Sequence, residues 1–495
     1  MQMEDIEVQF KTTYPIEEPY AYAAILEDPQ TKEITYKVIE PTLTPQDRSL
    51  LEKIKKIFLD ELDVDVSELN KEKARKIIEE RVRKIIKNYE MNLDEGMVRK
   101  FLYFINRDFL GFEKIDPLMK DHYIEDISCD GVGVPIYVWH REYESIKTNL
   151  VYDNEEELNR FVVRLAYLCG KHLSIADPIL DGSLPDGSRV NATYSSEISR
   201  RGTTFTIRRF RADPLTIADL INLGTISLDI AAYLWFVIEN KSSILIAGEI
   251  ASGKTTLLNC TSMFIRPDMK IVSIEETPEL NLPHINWIPM NTRTGFGRKG
   301  SDVTLFDLLK NALRQRPDYI IVGEVRGQEA FTLFQALSTG HGVQATIHAD
   351  TPEKVVSRLE SEPMNVPRPM IGLLDIIIVQ GRVRINEKPA RRTLYVTEVK
   401  DYDRENDEIL LNEISRWEPA KDEHIKTGES VLLKKIAERK GFSMEEVMSE
   451  INKRKVVLNW MVKKGMRRYM EIGTMLREYY ADKERTFKRA LVESL

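Results

Sequence analysis

The chain has 495 residues, of which 42% are hydrophobic and 30% charged, and it carries a formal net charge of -8. That length exceeds one ordinary domain of roughly 100 to 200 residues, and the composition excludes fibrous and disordered classes. The mild acidity also excludes a surface that is as a whole an electrostatic trap for nucleic acid, although residues 421–495 hold 18 Lys or Arg against 12 Asp or Glu.

The opening MQMEDIEVQF lacks the basic and apolar regions of a signal peptide. No apolar run reaches the ~18 residues that cross a bilayer, so the expected location is cytoplasmic and any membrane role peripheral. Residues 1–50 alternate short apolar stretches with Pro and acidic residues and read as a small segment of strands and loops. In LLEKIKKIFLDEL and EKARKIIEERVRKIIKNY, apolar residues recur at three-to-four spacing, which predicts amphipathic helices; residues 1–110 are expected to be an N-terminal segment and helical adapter. Residues 111–212 mix a helix at EELNRFVVRLAYLCGK with strand-like PIYVWH, VNATY and TTFTIRRF, predicting a mixed α/β domain. After a linker at 213–235, residues 236–403 alternate helices with the apolar strands ILIAG, IVSIE, YIIVGE, VQATIHA and IIIVQGRV, the signature of a largely parallel sheet covered by helices. Residues 404–495 are expected to be a mostly helical, basic region. Cys129, Cys169 and Cys260 are far apart and form no CxxC pair, so neither zinc nor a disulfide framework is expected.

The segment Gly248, Glu249, Ile250, Ala251, Ser252, Gly253, Lys254, Thr255 fits G-x-x-x-x-G-K-[ST], lies between an apolar strand and a helix, and is followed by Thr256. Glycines let the backbone fold around phosphates, whose charge meets amide N–H groups and the positive end of the following helix. Lys254 is expected to pair with the terminal phosphates of ATP and the Thr255 hydroxyl to ligate Mg2+.

Glu275 and Glu276 end one strand of this sheet, and Gly323 and Glu324 follow the strand Tyr319 to Val322. Isolated carboxylates are mostly solvated surface groups. Strand ends are different, because open α/β sheets place their ligand crevice there. Glu275 or Glu276 is thus a candidate general base, and Glu324 a candidate for Mg2+ through water. His341 and His348 flank the next strand, where imidazole could sense a phosphate, with no third ligand nearby for a metal.

In order and spacing, GEIASGKTT, IVSIEETPEL, LRQRPDYIIVGEVRGQEAF and STGHGVQATIHADTP resemble the Walker A, aspartate, Walker B and histidine boxes of the secretion-ATPase superfamily, the hexameric motors of type II and type IV secretion, type IV pili and archaella. The resemblance spans roughly residues 111–403. It implies a RecA-like P-loop core in an α/β fold, with ATP bound between that core and a flexibly joined N-terminal domain, and with Glu275, the first carboxylate of its box, activating water. Glu276 stands where many relatives have Asp, and Gly323 where Walker B strands usually have Asp, which leaves the division of labour between Glu275 and Glu276 open. Arginines complete such sites, because a planar guanidinium neutralises charge on a transferring phosphoryl group; the matching positions are Arg208, Arg209, Arg211, Arg293 and Arg298. The four-cysteine zinc module of many bacterial type II relatives is missing, which leans towards an archaeal-type branch. The expected partners are further copies in a homo-hexamer, a polytopic inner-membrane platform protein and, through it, pilin-like subunits, with nucleic acid disfavoured. Two other readings remain: a DNA-translocating motor of a conjugation system, and a nucleotide-gated scaffold with little turnover.

Overall fold

A strand covered on both faces is apolar at nearly every position, whereas a half-covered strand alternates. Both patterns occur here, in separate parts of the chain. The computed structural model describes residues 9–61, 71–210, 214–293, 302–386 and 388–494, and the chain divides into two units, Met1–Phe210 and Arg211–Leu495.

In the first unit, β1 (Gln9–Glu17), β2 (Ala21–Glu27), β3 (Ile34–Ile39), β4 (Ile124–Cys129), β5 (Pro135–His140), β6 (Glu144–Val151), β7 (Ile179–Ser183), β8 (Arg189–Thr193) and β9 (Thr204–Arg208) form one sheet in the order β1-β2-β3-β6-β5-β4-β9-β8-β7. Strands β5, β8 and β9 alternate buried with more exposed positions, the half-covered pattern. The amphipathic segments form α1 (Pro45–Asp60), α2 (Lys71–Asn88) and α3 (Glu95–Phe109), which bury Leu51, Ile54, Phe58, Ile78, Val82, Phe101 and Ile105 between them. Two further helices, α4 (Asp116–Lys120) and α5 (Glu155–Leu168), pack into the core of the sheet. No break occurs at the boundary expected near residue 110. Strand β3 pairs in parallel with β6 through Thr35↔Lys147 and Tyr36↔Thr148, and Arg107 on α3 holds Glu40 at 2.9 Å. Periodicity reports each element but not its distant partner, so the N-terminal strands read as a separate segment although they extend the same sheet.

The second unit holds β10 (Ile244–Gly248), β11 (Ile271–Glu275), β12 (Trp287–Asn291), β13 (Tyr319–Val322), β14 (Gly342–Ile347), β15 (Ile376–Ile385), β16 (Lys388–Asp403), β17 (Glu408–Glu418) and β18 (Glu423–Lys426), in the order β12-β11-β13-β14-β10-β15-β16-β17-β18. The first six run parallel and the last three extend the sheet antiparallel. One face buries Ile244, Ile246, Ile321 and Ile378 against α6 (Ile217–Asn222), α7 (Leu228–Glu239) and α8 (Lys254–Ser262). The other buries Leu245, Val272, Ile320 and Ile377 against α9 (Leu305–Arg314), α10 (Glu329–Ser338), α11 (Pro352–Glu360) and α12 (Arg368–Ile371).

Two differences from expectation follow from packing. Residues 228–235, read as the end of a linker, belong to α7, whose residues Ile230 to Ile238 are all buried. A helix apolar all round has to lie inside the fold, and its outer side is covered by the C-terminal helices α13 (Val431–Lys440), α14 (Met444–Lys463), α15 (Tyr469–Ala481) and α16 (Lys483–Glu493). The region after 403 likewise begins with β17 and β18 and turns helical only beyond residue 430. Arg454 of α14, 1% exposed, fixes the docking. It pairs with Glu239 at the end of α7 and with Glu450 at 3.0 Å, and its guanidinium lies over Trp235, Phe236 and Tyr479. Among the described residues, no helix is long and apolar enough to cross a membrane.

Candidate nucleotide and catalytic site

The phosphate-binding motif occupies the turn between β10 and α8, at the C-terminal edge of the parallel strands. Any Cβ at Gly248 would lie 2.4 Å from the Gln380 carbonyl oxygen and 2.4 Å from the Ser252 hydroxyl, so only glycine fits. Gly253 sits at the N-cap of α8 with φ +91°, and no side chain caps that helix. The helix therefore offers its first N–H groups to an incoming anion rather than to the protein. The loop's carbonyls are turned towards cations and donors. Lys254 donates to Gly248 O at 2.9 Å and Glu249 O at 2.7 Å, and Ser252 donates to Glu249 O at 2.8 Å. These features fit a polyphosphate: uncapped amides, a lysine already at the loop, and the Thr255 and Thr256 hydroxyls on the first turn of α8. Glu249 and Ile250 form the exposed tip, with Ile250 80% exposed.

Glu275 ends β11 and is 3% exposed. Its carboxylate accepts N–H bonds from Glu279 at 2.9 Å and Leu280 at 3.1 Å, which hold its orientation. Burial nevertheless dominates and pushes its pKa up to about 7, the range in which a carboxylate can take and return a proton at neutral pH. Gly323 stands where Walker B strands usually have Asp, and a Cβ there would sit 3.3 Å from Glu275 Cγ, a tight contact. The buried glutamate thus packs directly against position 323 on the adjacent strand end.

Glu276 points the other way, is exposed, and meets Arg326 at 3.5 Å; Arg326 also pairs with Glu324 at 2.6 Å. One arginine thus ties together the ends of β11 and β13. Its backbone N–H and that of Gly327 both donate at 2.7 Å to Glu329, a buried carboxylate at the start of α10. Arg326 and Glu329 were not singled out from sequence, although both lie within the GEVRGQEAF segment; their signal was proximity to the motif.

The two histidines part company. His348 follows β14 at the crevice end and lines a cleft of about 490 Å3 together with Glu249, Arg326, Lys354 and Arg358. His341 precedes β14, bonded to Thr339 at 3.0 Å and Ala336 O at 3.2 Å. Six strand residues, roughly 20 Å at ~3.3 Å each, separate it from His348, so within this unit it lies at the opposite edge of the sheet from the phosphate loop. The crevice of a parallel sheet lies at the carboxyl ends of its strands, so chain direction already favours His348; both were candidates because they flank the same strand.

Arg293 follows β12 at the crevice end and pairs its backbone with Val303, at 3.0 and 2.8 Å. Arg298 and Arg211 lie outside the described residues. Arg208 and Arg209 belong to the first unit. Arg208 is largely exposed beside Asp126, at 4.0 Å, whereas Arg209 turns back and donates to the carbonyls of Asp121 and Ile124, burial lowering its pKa. Arg391 of β16 was missed altogether. It donates to Ala251 O in the phosphate loop, and 140 residues of sequence separation hid the contact.

Three comparisons with known proteins bear on the family of the chain. Residues 116–457 match the type II/IV secretion system protein family, and residues 421–494 match the PilB3-like C-terminal family. Uncharacterized protein MJ0900 of Methanocaldococcus jannaschii is 36% identical over 94% of this chain and 88% of its own length. Putative conjugal transfer protein Rv3659c of Mycobacterium tuberculosis is 30% identical over 52% of this chain and 75% of its own. Among solved structures, the pilus retraction motor PilT with bound ADP aligns at 20% identity with a TM-score of 0.39, covering 71% of this chain and 93% of that one. With that family covering 116–457, from the first unit's sheet to α14, the chain belongs to the type II/IV secretion system proteins.

Proposed function

We propose that the chain is an ATP-hydrolysing motor that acts as a homo-hexamer at the cytoplasmic face of a membrane. There it would drive a polytopic platform protein that moves pilin-like subunits during secretion or filament assembly. The observation that carries the enzymatic part is the pairing of an uncapped phosphate loop with a buried carboxylate whose pKa lies about 7, on one crevice edge of one sheet. Lys254 and the α8 amides bind the phosphates, Glu275 receives the proton of the attacking water, and Arg326 fixes Glu276 and Glu324 in place. Thr255 and Glu324 would hold Mg2+, which when bound neutralises phosphate charge. Family membership and the PilB3-like C-terminal region support the secretion or pilus-type load.

Steady-state hydrolysis of ATP with and without Mg2+, with mass measured alongside in the presence of a non-hydrolysable analogue, tests this in wild type, Lys254→Ala and Glu324→Gln. A hexamer that loses turnover in both variants supports the motor. A monomer under every nucleotide condition, with turnover indifferent to Glu324→Gln, refutes it. The conjugal-transfer relative favours a second reading, in which DNA is the load; single- or double-stranded DNA raising the hydrolysis rate would select it.

A further inference from the structure

Strands β15 and β16 run on past the rest of the parallel sheet. In register, β10 ends at Gly248 opposite Gln380, whereas the β15–β16 pairing continues from Gly381↔Arg392 to Ile385↔Lys388. Five further pairs at ~3.4 Å make an overhang of roughly 17 Å beside the phosphate loop. A bulge falls level with Gly248: Val379 pairs with Tyr395 and Gln380 with Thr393, so Leu394 is left over. Bulges re-aim the side chains beside them, and on the overhang side of this one stand Arg391 and Arg392. Arg392 turns to the helical face and is anchored by Asp422 at 2.7 Å. Arg391 turns to the loop.

Its stem passes Gly253, where an added Cβ would lie 3.8 Å from Arg391 Cγ, and its Nε donates to Ala251 O at 3.4 Å. Ala251 has φ +60°, a left-handed conformation unfavourable for a non-glycine residue, so the contact braces the strained position of the loop. Among the described residues the two terminal guanidinium nitrogens of Arg391 make no hydrogen bond, and its stem lies against Gly253, the N-cap of the uncapped α8. Arg382 sits directly across the strand pair.

From this arrangement we infer that Arg391 is a second phosphate-side cation of the nucleotide site, supplied by the same chain through the β15–β16 overhang, bracing the loop through Nε and adding positive charge for a nucleoside di- or triphosphate. The inference rests on the loop being a phosphate site. It is tested by equilibrium titration of the full chain with ATP and ADP, and with adenosine by competition, for wild type, Arg391→Ala, Arg391→Lys, Arg391→Gln and Lys254→Ala. Loss of a charge-assisted contact weakens ATP and ADP about tenfold. Adenosine affinity stays unchanged, Arg391→Lys recovers most of the loss and Arg391→Gln does not. Lys254→Ala binding ATP as tightly as wild type would overturn the phosphate site itself. Weakened ATP binding in Lys254→Ala, combined with wild-type ATP and ADP affinity in Arg391→Ala and Arg391→Gln, would overturn the role of Arg391 alone. An equal loss for adenosine and ATP would make the residue structural and also overturn the inference.

Discussion

Replacing Glu275 by Gln keeps the size of the side chain and an oxygen for the N–H groups of Glu279 and Leu280, and removes only the charge. In the folded chain burial raises the carboxyl from 4.5 to about 7. At 1.36 kcal/mol per pKa unit, ionising it in place costs roughly 3 kcal/mol of stability. The folded state holds the proton more tightly than the unfolded chain, so wild-type stability falls as pH rises from about 4.5 through 7 and this contribution is constant outside that window. Glu275→Gln has no carboxyl there to titrate. Urea unfolding of both proteins without nucleotide, followed by tryptophan fluorescence at pH 4.5 and pH 8, should show the variant gaining on wild type by roughly 3 kcal/mol across the interval. Turnover should fall about 100- to 10,000-fold, the usual contribution of a general base, and the wild-type rate should rise with pH through an apparent pKa near 7. Parallel stability curves for the two proteins, or a variant that keeps wild-type turnover, would refute the assignment of Glu275 as a buried base.

Gly248→Ala would drive a Cβ to 2.4 Å from the Gln380 carbonyl; backbone cannot yield as a side chain can, so nucleotide binding should be lost and the melting temperature lowered, both readable by thermal shift with and without ADP. Arg454→Ala should cost about 2 to 5 kcal/mol, because it empties the buried space beside Trp235, Phe236 and Tyr479 and leaves Glu239 with Lys483 as its remaining partner, whereas Arg454→Met, which keeps that packing, should cost less; urea midpoints and protease sensitivity of the C-terminal helices distinguish the two. His348→Ala should lower kcat more than His341→Ala, because only His348 lines the cleft with Arg326; equal effects from the two would contradict that placement.

What the sequence determined by itself was local. A glycine-rich loop between an apolar strand and a helix, carboxylates at strand ends, and a run of apolar strands alternating with helices are each dictated by neighbours within a few residues, and the parallel sheet and its phosphate loop follow from them. The same local signals left Glu275 and Glu276 equivalent. Tertiary structure separated them, burying one against Gly323 and pairing the other with Arg326, because burial depends on strand order and not on adjacency. It also drew His341 away from the crevice, joined β3 to β6 across more than a hundred residues, turned part of an expected linker into the central helix α7, and set Arg391 against Ala251. The β3–β6 pairing and the Arg391 contact have no sequence signal, since each depends on which distant surfaces meet once the apolar faces are buried, and periodicity is silent about that choice; the apolar run of α7 and the place of His341 ahead of its strand were legible.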